Sequence, residues 1–289
     1  MSEKTACIIL NYNDAKQIKL LIDTIKSYEA IDEIIVVDNH STDDSFNVLQ
    51  TIKNKNIHLC QTDYNGGYGY GNNYGVRYAY EICKCSYALI VNPDVVFDNE
   101  LVKKLKKVIE NDARIGVVSA LQLNWQGKEI YKTAWRFPSK FEYMLSLIFI
   151  LRKMSEKFYI PLESLHSESL YCVDCVAGSL LLVQTKAFLA CDGYDENVFL
   201  YCEETILGFK MKEKGYKTYI CSDTSYFHLH GATINKSITS VLKRRKIQMK
   251  SHRYVLKKYM KANIFYRLFD FILGEIALVE TFFKSVFNK

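Results

Sequence analysis

The chain has 289 residues, of which 49% are hydrophobic and 24% charged, and its formal net charge is +6. These proportions exclude an intrinsically disordered chain and suffice for the core of one large α/β body. With only three prolines and no Gly/Ser-rich or repetitive tract, the sequence indicates neither a flexible linker nor a solenoid. We therefore predict one continuous globular protein.

The cysteines and the N-terminal segment indicate the cellular compartment of the protein. Nine cysteines, an odd number, are spread through apolar segments, which favours reduced core residues over a disulfide framework. Cys172-x-x-Cys175 resembles half of a zinc or redox motif, but no second ligand pair follows at zinc spacing. The first apolar run, ACIIL, is too short for a signal sequence. We therefore expect a protein of the cytosol.

Strand and helix patterns alternate through the first 110 residues. Continuous apolar runs predict strands that are covered on both faces, and apolar residues at helical spacing predict the helices between them. The predicted strands are 5–11, 33–38, 56–62 and 87–92, and the predicted helices are 14–28, 41–53 and 99–110. This alternation predicts an α/β fold with a parallel sheet and right-handed crossovers.

The second half of the chain is less regular and predicts a mixed extension of the sheet. It contains strand-like runs at 117–123 and 171–185, a helix near 203–214, and two further strands at 216–221 and 224–230. After residue 240 the pattern is helical to the end.

Asparagine or aspartate follows each of the first four strands. In open parallel sheets, ligands bind beyond the carboxyl ends of the strands. The polar residues at these ends are Asn11, Tyr12 and Asn13, then Asp38 and Asn39, then the run 63–67, then Asn92, Pro93 and Asp94. Each alone could be a helix cap or an Asx turn. Together they predict a binding site at this edge of the sheet.

The stretch NGGYGYGNNYG at 65–75 raises a separate question. Its Gly69-x-Gly71-x-x-x-Gly75 spacing is close to that of dinucleotide-binding turns, in which glycines let the backbone approach phosphate. A dinucleotide fold places those glycines after the first strand, whereas this stretch follows the third and is rich in Asn and Tyr. We therefore do not expect NAD.

Seven motifs follow one another between residues 5 and 235. They are CIILNYN, VVDNHSTDDS, NGGYGYGNNYG, LIVNPDVVF, AWRFPS, VAGSLLLVQTKAF with GYDENVFLYCEET, and HLHGAT. In this order they resemble the inverting nucleotide-sugar glycosyltransferases of the GT-A fold, the family 2 group, and within it the bacterial rhamnosyltransferase-like and galactofuranosyltransferase-like members. The resemblance implies a GT-A domain over 1–235, with a Rossmann-like nucleotide-binding sheet, and a basic, amphipathic helical segment over 236–289.

The same resemblance implies which residues contact the nucleotide sugar. Asp38 matches the carboxylate that contacts the base or ribose, and Asn65, Gly66 and Gly67 are expected to approach the nucleotide. The whole implied set is Asn11, Asp38, Asn39, Asn65, Gly66, Gly67, Asn72, Asn73, Asn92 and Asp94.

A divalent metal, Mg²⁺ or Mn²⁺, is also implied by the resemblance. Asp94 looks like the surviving carboxylate of the family's metal-binding Asp-x-Asp, with Asn92 at its first position. His228 matches the histidine of the family's His-x-x-Gly motif and could complete the site, with His230 as the competing ligand. The structural alternative for His228 is a strand histidine bonded to a backbone carbonyl.

The catalytic base is implied by the pair Glu203-Glu204, which aligns with the family's Glu-Asp pair. The second member of that pair removes the proton of the acceptor hydroxyl, which makes Glu204 the predicted base. Glu replaces Asp here, and Ile206 stands where many relatives carry another Asp. The alternative is that the two acids only complement a helix dipole.

The C-terminal segment combines a basic and an apolar part. Lys and Arg crowd residues 242–261 without an acidic residue, and the apolar run after them is interrupted by charges too often to span a bilayer. We expect peripheral docking on anionic lipid, with homodimerisation through the same apolar face as the alternative. The basic stretch lacks an ordered recognition motif, so we expect no nucleic acid partner.

The sequence thus predicts a metal-dependent inverting glycosyltransferase at the cytoplasmic face of the cell membrane. It would move a sugar from a nucleoside-diphosphate sugar to a lipid-linked saccharide in bacterial surface polysaccharide biosynthesis. The resemblance makes dTDP-rhamnose the first expected donor, with UDP-hexoses and UDP-galactofuranose as alternatives. A catalytically silent member that scaffolds a partner transferase is the alternative from another functional class.

Overall fold

The computed structural model describes residues 3–151, 156–229 and 240–287. Its strands are β1 (Thr5–Asn11), β2 (Glu33–Asp38), β3 (Ile57–Gln61), β4 (Tyr87–Val91), β5 (Val95–Val96), β6 (Ile115–Leu123), β7 (Ala134–Trp135), β8 (Leu170–Val173), β9 (Cys175–Val176), β10 (Leu180–Gln184) and β11 (Lys217–His228). Its α-helices are α1 (Ala15–Ile25), α2 (Ser45–Gln50), α3 (Tyr68–Glu81), α4 (Asn99–Asn111), α5 (Lys140–Leu145), α6 (Leu162–Leu165), α7 (Thr185–Ala190), α8 (Glu203–Glu213), α9 (Val241–Lys258) and α10 (Ile264–Phe287).

Nine strands form one central sheet in the order β3-β2-β1-β4-β10-β6-β11-β5, with β8 beside β11. Strands β1 to β4 are parallel to one another, as predicted. Helices α1, α2 and α4 share a core with one face of this sheet, and α3, α7 and α8 share a core with the other. The covered faces explain why these strands are apolar throughout rather than alternating.

The extension of the sheet is mixed, as predicted. Strand β10 is antiparallel to both β4 and β6, whereas β11 is parallel to β6. The prediction of two strands at 216–221 and 224–230 is wrong in one respect, because β11 is a single strand. Its pairing with β6 shifts register between Cys221 and Ser225, so the polar residues between them are accommodated in a β-bulge.

The C-terminal helices pack against the rest of the chain. They form a third apolar cluster with α5, the segment before α8, and Ile206. Inside it, the ring of Tyr143 stacks on that of His252 at 3.9 Å, and His252 Nδ1 lies 3.2 Å from the buried Asp270 Oδ1. Asp195 binds the Lys258 ammonium at 2.8 Å. The predicted boundary at residue 235 lies outside the described residues and stays a prediction.

Among the described helices, none combines the length and apolar character needed to cross a membrane.

Candidate active site

The glycines of the 65–75 segment let α3 approach its neighbours closely. A Cβ at Gly71 would come within 2.2 Å of the Leu10 side chain, and one at Gly75 within 2.4 Å of Ile8, both on β1. Gly67 has φ +93° and would place a Cβ 2.0 Å from the carbonyl oxygen of Phe199. The spacing that suggested a dinucleotide turn therefore serves helix-to-sheet packing.

Asp38 organises the carboxyl ends of the first three strands. Register pairs Asn11 with Asp38 and Asp38 with Gln61, so the three side chains are neighbours. The fully buried Asp38 carboxylate accepts hydrogen bonds from Asn11 Nδ2 at 2.7 Å, Ser41 Oγ at 2.6 Å and Gln61 Nε2 at 3.1 Å. Sequence reasoning did not single out Ser41 and Gln61. Ser41 lies within the DNHS motif, whereas Gln61 carries no local signal.

Asn39 connects this edge to the glycine segment. Its amide donates to Asn65 Oδ1 at 3.1 Å and to the Gly67 carbonyl at 3.0 Å, and its oxygen accepts from Thr62 Oγ1 at 3.1 Å. The predicted nucleotide-contacting residues at the ends of β2 and β3 are therefore adjacent in space. Gly66 lies between the two bonded residues.

The two asparagines on α3 differ in their surroundings. The Asn73 amide is engaged, donating to the Tyr194 carbonyl and Glu196 Oε1, each at 2.9 Å, and accepting from the Tyr194 N–H at 2.8 Å. The buried Asn72 donates to the Tyr68 carbonyl at 3.0 Å, but its Oδ1 has no partner among the described residues. Asn73 thus holds the 194–196 loop, whereas the Asn72 side-chain oxygen is a hydrogen-bond acceptor that no described residue uses.

Asp94 and His228, the predicted metal ligands, lie side by side. Antiparallel pairing of β5 with β11 sets His228 opposite Val95, and His228 Nε2 lies 3.2 Å from Asp94 Oδ1. Gln122 Nε2 lies 2.9 Å from the other ring nitrogen, Nδ1. A metal on Nε2 requires a proton on Nδ1, which the Gln122 amide accepts when it is turned over so that its Oε1 faces the ring. Gln122 was not predicted, and His230 lies outside the described residues.

This pair fits a divalent cation. Ligand atoms at right angles on an octahedral ion with bonds of about 2.1 Å lie about 3 Å apart, close to the observed separation. Both side chains are largely buried, so few waters compete for them. Two protein ligands leave positions for diphosphate oxygens and water, the arrangement that Mg²⁺ favours.

Glu204 lies at the first turn of α8, against Gly178. The Gly178 N–H donates to the Glu204 carboxylate, and a Cβ added at Gly178 would meet Glu204 Oε1 at 2.6 Å. The next residue, Ser179, accepts from the Asn92 N–H at 2.9 Å, while the Gly178 carbonyl accepts from Tyr68 Oη at 2.7 Å. The predicted base, the NPD motif and the start of α3 therefore meet at Gly178 and Ser179.

Burial dominates the electrostatics of the acidic pair. It raises the pKa of Glu204, an effect that backbone hydrogen bonds, including the one from Gly178, partly offset. Burial and the neighbouring Glu204 raise the pKa of Glu203 to about 8. Glu203 is only 4% exposed, and its Oε1 has no hydrogen-bond partner among the described residues. Desolvated carboxyls with raised pKa values are typical of sites that transfer protons.

Comparisons with known proteins identify the family of the chain. Residues 6–170 match the profile of glycosyl transferase family 2. The rhamnosyltransferase WbbL of Escherichia coli K12 is 27% identical over 216 residues, which are 72% of this chain and 76% of WbbL. The low-salt glycan biosynthesis hexosyltransferase Agl10 of Haloferax volcanii is 24% identical over 228 residues, 79% of this chain and 68% of that protein.

Solved structures share the fold at low sequence identity. The mannosyltransferase PcManGT of Pyrobaculum calidifontis, solved with GDP-Man and Mn²⁺, superposes with a TM-score of 0.61 at 15% identity, covering 97% of this chain and 73% of that one. TarS 1–349 of S. aureus with UDP gives a TM-score of 0.54 at 16% identity, covering 91% and 68%. Because the family profile spans more than half of the chain, this protein belongs to glycosyl transferase family 2, with the GT-A architecture.

Proposed function

We propose that this protein is a metal-dependent, inverting glycosyltransferase that uses dTDP-rhamnose and acts on a lipid-linked saccharide in bacterial surface polysaccharide biosynthesis. The single observation that carries the chemistry is the placement of three groups at one edge of the sheet. The Asp94–His228 pair, the half-buried Glu204 and the Asn39–Asn65–Gly67 contact all lie beyond the carboxyl ends of parallel strands. That is where open α/β sheets bind their ligands.

Asp94 and His228 would hold the divalent ion, and Gln122 would orient the imidazole. Bound there, the ion supplies positive charge to the diphosphate as negative charge develops on it, which stabilises the transition state more than the ground state. Residues around Asn65 and Asn72 offer uncharged polar groups to the rest of the nucleotide. Asp38 acts mainly by fixing this edge, since its oxygens already accept hydrogen bonds from Asn11, Ser41 and Gln61.

Glu204 takes the proton of the acceptor hydroxyl. As the O–H bond breaks, the oxygen attacks the anomeric carbon, and the bond from that carbon to the diphosphate oxygen breaks with its electron pair. A single displacement from the face opposite the leaving group inverts the anomeric configuration. The raised pKa of Glu204 makes its carboxylate a stronger base than an exposed glutamate, and the Gly178 N–H orients it.

Similarity within the family supports the choice of donor. WbbL is described as a rhamnosyltransferase, and it is similar to this chain over most of both proteins. The similarity to Agl10, described as a hexosyltransferase, keeps UDP-hexoses and UDP-galactofuranose as alternatives.

Calorimetric titration tests the donor and the metal together. The protein is titrated with dTDP, UDP, GDP and NAD, each with Mn²⁺ and with a chelator. We expect dTDP to bind tightest and to bind more tightly with Mn²⁺, and Asp94→Asn to lose the metal enhancement. Tighter UDP binding would move the donor to the alternatives. Binding of none of the nucleotides would instead favour the silent scaffold.

The exposed face of α10 supports a membrane-linked acceptor. The helix contributes Leu273, Gly274 and Ala277 to its contact with the third apolar cluster and leaves most of its large apolar side chains outside. Each of the following is at least two-fifths exposed: Ile264, Phe265, Leu268, Phe269, Phe271, Ile272, Ile276, Val279, Phe282 and Phe283. Phe149 and Ile150 add to the exposed apolar surface. An outward apolar face beside a basic helix suits anionic lipid at the bilayer interface.

A cavity of about 880 Å³ lies between this helical pair and the glycine segment. Tyr64 and Gly66 line one side, and the cationic side chains Lys250, Lys257 and Arg267 line the other. Its basic wall therefore lies between the predicted donor edge and the apolar helix. The acceptor that fits this arrangement has an anionic headgroup, which would lie against the basic wall, and a lipid tail, which would lie along the apolar helix.

Vesicle sedimentation tests the membrane contact. We expect binding to phosphatidylglycerol vesicles, much weaker binding to phosphatidylcholine, and loss of binding in Phe265→Asp/Ile276→Asp. The matched control is Lys107→Asp on the exposed side of α4, which changes charge away from α10. If the apolar variant instead converts a dimer to a monomer and vesicle binding is absent throughout, homodimerisation is the role of this face.

A further inference from the structure

A second cluster of metal-ligand side chains lies at the opposite edge of the sheet. Glu33 opens β2 and Asp38 ends it, so five residues at about 3.3 Å each put this cluster about 17 Å from the candidate active site. One ligand atom each from Glu33, His58 and Cys83 lies within 4.8 Å of the other two. The chemistry proposed for glycosyl transfer uses none of them.

The fold brings these three residues together from distant parts of the chain. The parallel register pairs Ile35 with His58, so Glu33 and His58 lie diagonally on one face of neighbouring strands. Helix α3 runs back along this face, and Cys83 follows its end. Three elements therefore converge where the strands begin.

The distances suit a tetrahedral ion. His58 Nε2 lies 3.0 Å from Glu33 Oε2 and 3.7 Å from Cys83 Sγ. Zinc bonds of about 2.3 Å to sulfur and about 2.0 Å to nitrogen or oxygen put such ligand atoms about 3.3–3.6 Å apart. Lys4 Nζ donates to the other Glu33 oxygen at 3.1 Å, which leaves Oε2 directed at the cluster.

We propose that Glu33, His58 and Cys83 bind one Zn²⁺ ion, with water in the fourth position, and that the ion ties β2, β3 and the end of α3 together. Thiolate, imidazole and carboxylate are the zinc ligand set. The side chains of His58 and Glu33 are 23% and 12% exposed, so an ion can enter and water can complete its shell. On binding, the Cys83 thiol releases its proton to solvent as the sulfur–metal bond forms.

Cobalt titration of the full chain, stripped of metal with a chelator, tests this site. Thiolate bound to Co²⁺ gives an intense near-ultraviolet charge-transfer band, and the sulfur-free Asp94–His228 pair cannot produce one. We expect the band to saturate at one equivalent and to disappear on adding Zn²⁺. Cys83→Ser should lose it, and His58→Ala should weaken cobalt affinity at least about tenfold.

The controls separate this site from the rest of the molecule. Cys172→Ser removes an exposed thiol elsewhere and should keep the band, as should Asp94→Asn. Metal-free Cys83→Ser should melt like the metal-free wild type, while Zn²⁺ should raise only the wild-type melting temperature. Absence of the band in the wild type, or its persistence in Cys83→Ser, overturns the proposal whatever the outcome of the nucleotide titrations.

Discussion

Replacing Gly178 by alanine should damage catalysis by moving Glu204. The glycine does not occupy the left-handed region, so alanine introduces no backbone strain there. Its Cβ would lie 2.6 Å from Glu204 Oε1, and ordinary contact begins at 3.4 Å. The carboxylate must therefore retreat by about 0.8 Å, and displacements near 1 Å in a catalytic group cost on the order of 100-fold in rate.

We expect kcat to fall about 10- to 100-fold in Gly178→Ala, with nucleotide affinity and melting temperature little changed, because the displaced group is the end of a flexible side chain. We would measure kcat in a transfer assay with a saccharide acceptor, using the release of nucleoside diphosphate as the readout. Gly127→Ala is the matched control, since Gly127 has φ +78° and a Cβ there meets nothing within 4 Å. That variant should lose about 1–2 kcal/mol of stability and keep its kcat.

A double-variant cycle decides whether Gly178 acts through Glu204. Because Glu204→Gln already removes the base, adding Gly178→Ala should lower kcat by less than about twofold further. The reasoning is refuted if Gly178→Ala turns over like the wild type, or if the two effects multiply in the double variant.

Three further predictions concern stability. Gly67→Ala should lower the free energy of unfolding by about 2–5 kcal/mol in urea titration, because φ +93° strains alanine and its Cβ would lie 2.0 Å from the Phe199 carbonyl oxygen; equal stability of variant and wild type would contradict the close packing. Burial would raise the pKa of Asp195, but hydrogen bonds, first that from Lys258, hold it below its usual range. Its stabilisation is therefore present at neutral pH and lost as pH falls below about 4, so the melting-temperature deficit of Asp195→Asn should shrink in acid; a pH-independent deficit would argue against the charged contact. Burial raises the pKa of Glu203 from 4.5 to about 8, so the folded protein favours the protonated form. The contribution of this protonation to the free energy of unfolding is complete below pH 4.5 and is lost as pH rises through about 8. Glu203→Gln should consequently gain melting temperature over the wild type at pH 9 relative to pH 5, whereas Glu110→Gln, on the exposed side of α4, should show no such trend.

The first half of the fold was predictable because its signals are local. Apolar runs identified β1 to β4, and the Asn or Asp after each predicted the edge at which we place the candidate site. The continuity of β11 through residues 222–224 was not predictable. The sequence SDT at these positions is typical of a turn, and only the pairing with β6 keeps the strand continuous through a bulge.

Some residues of the candidate site were predictable from the sequence, and others were not. Asp94 and His228 are 134 positions apart, and motif resemblance placed them together before the structure did. Gln61 and Gln122 were missed because their roles depend on side chains in other strands, Asp38 and His228. Asn73 is the opposite case. Its motif predicted a contact with the nucleotide sugar, but in the structure its amide donates hydrogen bonds to Tyr194 and Glu196.

The outward apolar face of α10 could not be derived from periodicity alone. A helical pattern shows that a face is apolar, but not whether it turns inward. Here Gly274 allows close approach to α9, and Leu273 and Ala277 are buried beside it, while most of the large apolar side chains of α10 stay exposed.

The most direct test of the account is acceptor glycosylation by the wild type and Glu204→Gln at saturating dTDP-rhamnose and Mn²⁺, with dTDP affinity measured on the same samples. The account predicts dTDP affinity unchanged within about twofold and turnover at least about 100-fold lower in the variant, because only the base is removed. Wild-type turnover in Glu204→Gln would contradict it and would assign the proton transfer to another group.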